Sequence, residues 1–123
     1  MGKYVITRTA NDGYKVNLVA GNHEIIGTSQ VFKSLQSAKN TCASIQKFAE
    51  SDIEDQTLQI PEQKKYPKWE LYQDKAGEYR WRLCASNGEN ILASEGYKEK
   101  KSAKNGIDSV RRNADSEIEV KED

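Results

Sequence analysis

Histidine is almost absent from this chain: His23 is alone among 123 residues, beside two cysteines, two prolines and one methionine. With that one imidazole on an expected turn, neither a Ser-His-Asp nor a Cys-His arrangement is supported. No CxxC, HxxxH or HExxH spacing occurs, and two lone cysteines with one histidine cannot fill a structural zinc shell without carboxylate help. Glycines stand singly in turns, so no loop is built to cradle phosphates. Long apolar runs are missing as well: the N-terminus MGKYVITRT has no stretch fit for a signal peptide or a membrane helix, and Ile6 stands where a myristoylation signal needs Ser or Thr. The expectation is a cytoplasmic chain with no membrane attachment, no cofactor and no metal. Nor is either charge in surplus, since 19 Lys and Arg balance 19 Asp and Glu. No global field recruits nucleic acid or an anionic membrane.

What is present is a duplication. Shifting the sequence by 65 residues lays residues 3–54 on 68–119 without a gap, and Ser37-Ala38-Lys39-Asn40 returns as Ser102-Ala103-Lys104-Asn105. A unit of that length, repeated once, is one supersecondary element packing on its twin. Either copy alone would be marginal, so the division is a single domain over 1–123, with repeat 1 at 3–55, a linker at 56–67 and repeat 2 at 68–120. Pro61 and Pro67 interrupt regular structure in the linker.

Each copy opens on two alternating strands. Tyr4 and Ile6 match Trp69 and Leu71; Tyr14, Val16, Leu18 and Ala20 match Tyr79, Trp81, Leu83 and Ala85. Lys15 and Asn17, or Arg80 and Arg82, fall between them, so one sheet face is core and the other wet. Turns are expected at Asn11-Asp12-Gly13, Lys75-Ala76-Gly77, Asn22-His23 and Asn87-Gly88, the last two as type I′ turns with both central residues at positive φ. His23 occupies the position of Gly88 and reads as a turn-tip residue. A third strand runs through Ile25-Ile26 and through Ile91 to Ala93.

The helices follow. Ala38, Cys42, Ile45 and Ala49 form one apolar stripe, and Ala103, Ile107, Val110 and Ala114 repeat it. Cys42 aligns with Ile107 and Cys84 with Val19, so both thiols read as unpaired structural residues. Gly106 flanks the second stripe, a placement that lets the helix sit close to the sheet. Lys104 with Asp108 and Asp108 with Arg112 are expected as i, i+4 pairs on the solvated side. Ser34 is the expected N-cap of the first helix; Glu99 takes that place in the second. Short alternating segments, Asp52–Glu54 and Glu117–Val120, read as fourth strands at sheet edges, with their carboxylates solvated.

Repeat 2 carries an aromatic-x-aromatic-x-Leu pattern at Tyr79, Trp81 and Leu83, then Asn87-Gly88, Ser94-Glu95-x-Tyr97, and Asn105-Gly106-Ile107-x-Ser109-Val110-x-x-Asn113-Ala114. This resembles the repeat of the YegP-like family of small uncharacterised proteins, and with the first copy it covers nearly the whole chain. Repeat 1 departs from the pattern at His23, Gln30, Phe32, Thr41, Cys42 and Phe48. The resemblance implies an α+β fold in which two tandem β3-α-β units build one mainly antiparallel sheet with two helices on one face and exchange their last strands. It implies no activity.

For function, the leading expectation is a non-catalytic, cytoplasmic protein-interaction module, monomeric, with an internal pseudo-dimer. Its candidate surface is the uncovered sheet face, carrying Arg80, Arg82, Tyr72, Lys15 and Asn17, with Cys84 and Val19 beside them. Such a face should tolerate Arg80→Glu with Arg82→Glu without loss of thermal stability. The alternative is single-stranded RNA binding, since a sheet face mixing arginine with an aromatic can stack bases. The balanced charge and the inward placement of Tyr79 and Trp81 oppose it. A second alternative is a small-molecule binder or enzyme at the repeat junction. Among the polar residues identical in both copies are Asn22/Asn87, Glu24/Glu89, Ser29/Ser94, Lys33/Lys98, Ser37/Ser102, Lys39/Lys104, Asn40/Asn105 and Ser44/Ser109. Turn geometry accounts for the first pair, and helix starts or helix-face solvation for most of the others.

Overall fold

The computed structural model describes residues 2–121. Repeat 1 contributes β1 (Lys3–Arg8), β2 (Tyr14–Val19), β3 (Ile25–Phe32), α1 (Leu35–Phe48) and β4 (Ile53–Asp55). Repeat 2 contributes β5 (Lys68–Gln73), β6 (Tyr79–Cys84), β7 (Asn90–Ala93), α2 (Lys100–Asn113) and β8 (Glu117–Lys121). Neither helix is long and apolar enough to cross a membrane. Ser34 caps α1 by accepting the Ser37 N–H, whereas Glu99 makes no side-chain cap.

All four hairpins use the same three-residue loop. In each, the residue before the loop accepts an N–H from three positions on, and its own N–H reaches the carbonyl four positions on, as at Ala20 with His23 and Glu24. Only the last loop residue has positive φ: Asp12 at 59°, His23 at 70°, Gly77 at 87° and Gly88 at 85°. The loops are therefore type I turns closed by one left-handed residue, and the expected type I′ turns do not form. Asn22 and Asn87 serve as acceptors instead, receiving the backbone N–H of Glu24 and Glu89 at 3.1 and 3.0 Å. A left-handed His23 is tolerable because one residue, not two, must adopt that conformation.

The strands form one sheet in the order β4-β5-β6-β7-β3-β2-β1-β8. Inner neighbours are antiparallel; the two outermost pairs, β4 with β5 and β1 with β8, are parallel. The last strand of each repeat has crossed to the first strand of the other, so the exchange is real. A pseudo-twofold axis passes between β3 and β7, where Thr28 faces Ala93.

Both helices lie on one face and bury their stripes against Tyr4, Ile6, Val16, Leu18, Trp69, Leu71, Trp81 and Leu83. The crossing is locked by matched hydrogen bonds. Tyr4 Oη donates to the Ala114 carbonyl at the end of α2 (2.6 Å), and Trp69 Nε1 donates to the Ala49 carbonyl at the end of α1 (2.9 Å). Each helix thus has a terminal carbonyl satisfied by the first strand of the opposite repeat. Ser29 and Ser94 are structural too: each hydroxyl accepts a β-strand N–H, from Val16 and Trp81, at 3.0 Å.

Packing explains where the copies diverged. Repeat 2 fills its core with Trp81 and Tyr97, and a Cβ on Gly106 would stand 2.7 Å from Tyr97 Oη and 2.8 Å from Trp81 Nε1. The absent side chain lets α2 sit against these rings. Repeat 1 has Val16 and Phe32 there and accommodates Thr41. Near the axis repeat 2 again supplies the larger strand residue: Leu92 occupies the centre, and a Cβ on its counterpart Gly27 would lie 2.9 Å from Leu92 Cγ and from Trp81 Cη2. Asp108 pairs with Arg111 at 3.9 Å, not with the expected Lys104 or Arg112.

Candidate interaction face of the sheet

Alternation sends Lys68, Glu70 and Tyr72 of β5 and Arg80, Arg82 and Cys84 of β6 to the face opposite the helices. The register sets Glu70 against Arg82, Arg82 against Ala93, Ala93 against Thr28, and Thr28 against Asn17. Arg82 and Asn17 therefore lie on one transverse row, three strand spacings or about 14 Å apart. Arg80, Arg82 and Tyr72 form one cluster in repeat 2. Lys15 and Asn17 share its face but stand in repeat 1, where Asn17 Oδ1 accepts the Thr28 hydroxyl at 2.8 Å.

The arginines are not free cations. Arg80 Nε donates to Asp74 at 2.7 Å, and Asp74 also accepts the backbone N–H of Ala76 and Glu78, which together hold its carboxyl below the usual range. Arg82 Nε donates to Glu70, and its guanidinium lies 4.6 Å from the Tyr72 ring centroid. Such a stack holds a flat cation in one orientation.

Beneath this surface lies a buried charge network that sequence reasoning missed. Lys68 Nζ sits 2.9 Å from Glu54 and 3.3 Å from Glu70, and all three residues are less than a tenth exposed. Glu54, expected as a solvated edge carboxylate, is only 4% exposed. The linker folds back to enclose it: Gln56 Nε2 and the Lys64 backbone N–H donate to its oxygens at 2.6 and 2.7 Å, while the Tyr66 ring covers the Lys68 ammonium. The Gln56 amide and then Lys68 pull the Glu54 carboxyl down to about 2. Burial works to raise Glu70, but Arg82 and Lys68 outweigh it and the net direction is down. Cys84, 3% exposed, sits 3.6 Å from Glu70 and is pushed up to about 11, first by burial and then by that carboxylate. Both cysteines are free and buried.

This network corrects the expected tolerance of the face. Arg82→Glu would set a second carboxylate against a buried one, so the double arginine reversal destabilises the fold as well as altering the surface. A signal for the network was present in the sequence: Lys3/Lys68 and Glu54/Glu119 are identical in both copies. The first-repeat version is the exposed pair Lys3–Glu119 at 3.1 Å. Among the described residues no group of three His, Cys, Asp or Glu side chains is placed to hold a metal ion.

The DUF1508 family, a domain of unknown function, matches residues 10–55 and again 74–119. A UPF0339 protein of Bordetella pertussis is 38% identical over 114 residues, covering 93% of this chain and 90% of its own length. The UPF0339 protein YegP of Yersinia pestis is 35% identical over 118 residues, covering 96% and 93%. Among solved structures, the yegP protein of unknown function from E. coli superimposes with a TM-score of 0.78 at 26% identity, covering 99% of this chain and 92% of that one. A UPF0339 protein of Shewanella oneidensis gives 0.82 at 25%, covering 98% and 92%. Two matched repeats, full-length relatives and a shared fold place this chain in the DUF1508 family of UPF0339, YegP-like proteins, whose function is unknown.

Proposed function

We propose that the protein is a non-catalytic docking module, working in the cytoplasm as a monomer, that binds a protein partner on the helix-free face of its sheet. The observation that carries this reading is the Arg82–Tyr72 stack, held by Glu70 on a face that no helix covers. Arginine and tyrosine dominate binding energy at protein interfaces, and a pair already fixed in place loses little freedom on docking. The same salt bridges favour a protein over RNA. Phosphate contacts need unpaired cations to displace counterions, and here Arg80, Arg82 and Lys68 each already face a carboxylate.

The test is capture from host lysate on the tagged full chain, with and without nuclease, comparing the parent with Tyr72→Ala, Arg80→Ala, Lys15→Glu and the helix-side control Lys39→Glu. Arg82 is left intact because Glu70 depends on it. A stoichiometric protein that survives nuclease, is lost with Tyr72→Ala and persists with Lys39→Glu supports the reading. Recovery of RNA, or a partner lost on nuclease treatment, overturns it in favour of nucleic-acid binding.

A further inference from the structure

The helix side of the sheet holds a second pair of surfaces. A groove of about 570 Å³ runs between α1 and the β6–β7 turn, and one of about 290 Å³ runs between α2 and the β2–β3 turn. Each is built from the helix of one repeat and the hairpin of the other, a consequence of the crossed packing. A shift of 65 residues carries most of one lining onto the other.

The helix walls present Ser37, Asn40 and Ser44 in the first groove, and Ser102, Asn105 and Ser109 in the second. The facing turns add Asn87 with Glu89, and Asn22 with Glu24. Five of the polar pairs identical between the copies therefore converge on two equivalent grooves. Toward the end of each helix stands a base, Lys47 in one groove and Arg112 in the other: the residue has changed and the charge has not.

Some of these residues have structural work, such as the turn hydrogen bonds of Asn22 and Asn87. Among the described residues the charged side chains of the grooves make no hydrogen bond, though the Lys47 ammonium lies 5.4 Å from the centroid of the neighbouring Phe48 ring. Some exposed charges elsewhere are paired within the chain, as Arg8 is with Asp12 and Lys64 with Glu62. Among the described residues, Glu24, Glu89, Lys47 and Arg112 make no ion pair, although each groove holds an acid and a base, the second with Glu95 as a further acid.

We infer that each groove binds a small zwitterion, an amino acid or a short peptide, with its ammonium at Glu89 or Glu24 and its carboxylate at Lys47 or Arg112. The asparagine and serine side chains supply hydrogen bonds between the charged ends. Phe32 in the first groove and Tyr97 in the second offer an apolar surface to the ligand's side chain. From Ser37 to Lys47 the helix wall runs about 15 Å at 1.5 Å per residue. That length accepts a free amino acid or an extended peptide of up to about four residues. The second groove is smaller and has Glu95 where the first has Gln30, so it favours a basic side chain.

The test is an amide NMR titration of the full chain with pools of L-amino acids and, separately, triglycine and tetraglycine, each to about 10 mM so that millimolar binding registers. Expected are shifts at Asn40, Ser44 and Glu89 and at their counterparts Asn105, Ser109 and Glu24. Lys47→Glu removes the first set alone and Arg112→Glu the second alone, in variants whose remaining spectrum is native. Response to amino acids but not peptides names the free amino acid as the source, and the converse names peptide. N-acetylated, C-amidated forms give no response. Silence of both grooves to every probe overturns the inference, as does a response that survives blocking of the termini or the charge reversals.

Discussion

Replacing Lys68 with Met tests the buried charge network at its centre. The ammonium lies between Glu54 and Glu70, each less than a tenth exposed. Removing one member of a buried pair costs about 3–5 kcal/mol, because the remaining charge has lost water and partner together. A domain of this size is stable by about 5–15 kcal/mol, so the loss moves the urea midpoint far. Acid should narrow the difference. Glu54 is held near 2 against an ordinary 4.5. A depressed carboxyl contributes stability that is fully present above its unfolded value and is lost as pH falls toward the folded one. In the parent that contribution is on the order of 3 kcal/mol for a shift of this size, shared between Gln56 and Lys68. The variant lacks the Lys68 share, so its deficit is greatest near neutrality and shrinks between about pH 5 and pH 2. Lys3→Met is the internal control: its pair with Glu119 is the symmetry counterpart of Lys68 with Glu54 but about 40% exposed, and its loss should cost only a small fraction of that deficit. Urea unfolding followed by the fluorescence of Trp69 and Trp81 reads all three proteins. A Lys68→Met deficit below about 1 kcal/mol at neutral pH, or one equally large in acid, would refute the reasoning.

Gly27→Ala should lose about 1–3 kcal/mol through overpacking on Leu92 and Trp81, each 2.9 Å from the added Cβ, and less in a Leu92→Ala background, which relieves one of the two contacts; two independent effects in the double-mutant cycle would show that the Leu92 contact is not a cause. Tyr4→Phe leaves the buried Ala114 carbonyl without its donor and should lower stability by about 1–2 kcal/mol, whereas parental melting would remove that hydrogen bond from the account. Burial pushes the thiols of Cys42 and Cys84 up to about 11, so a thiol-reactive dye near neutral pH should label the native chain far more slowly than the urea-unfolded one. Prompt labelling of the native chain would place either thiol outside the core.

Local pattern and the comparison of two copies carried the reading a long way. The helix stripes were legible because Ala38, Cys42, Ile45 and Ala49 find counterparts of like character, and every one of them is buried. Gly106 was legible as a site of close approach because a glycine inside a helix costs stability that a packing need must offset. The strand exchange was not, since Ile53 and Ile118 alternate equally well beside either first strand; only the family resemblance implied it. The turn type was misread because Asn-Gly is a strong type I′ signal, although a histidine in the glycine's place already argued for a single left-handed residue. Glu54 was placed on the right strand and at the wrong depth. Its burial depends on Lys64, Tyr66 and Lys68, and nothing in its own neighbourhood reports their return. The grooves follow the same logic: comparing copies singled out Ser37 and Asn87, but only crossed packing puts them in one groove.

With β8 lying on β1, Glu117 is opposite Lys3, and the two ends of the chain hold the halves together. The exposed stretch from Leu58 to Gln63 then acts as a tether between two parts that already embrace. A protease nick there would leave a two-chain complex with every inter-repeat hydrogen bond in place. Its melting temperature, constant in the intact protein, would fall on dilution, because the tether's remaining contribution is effective concentration.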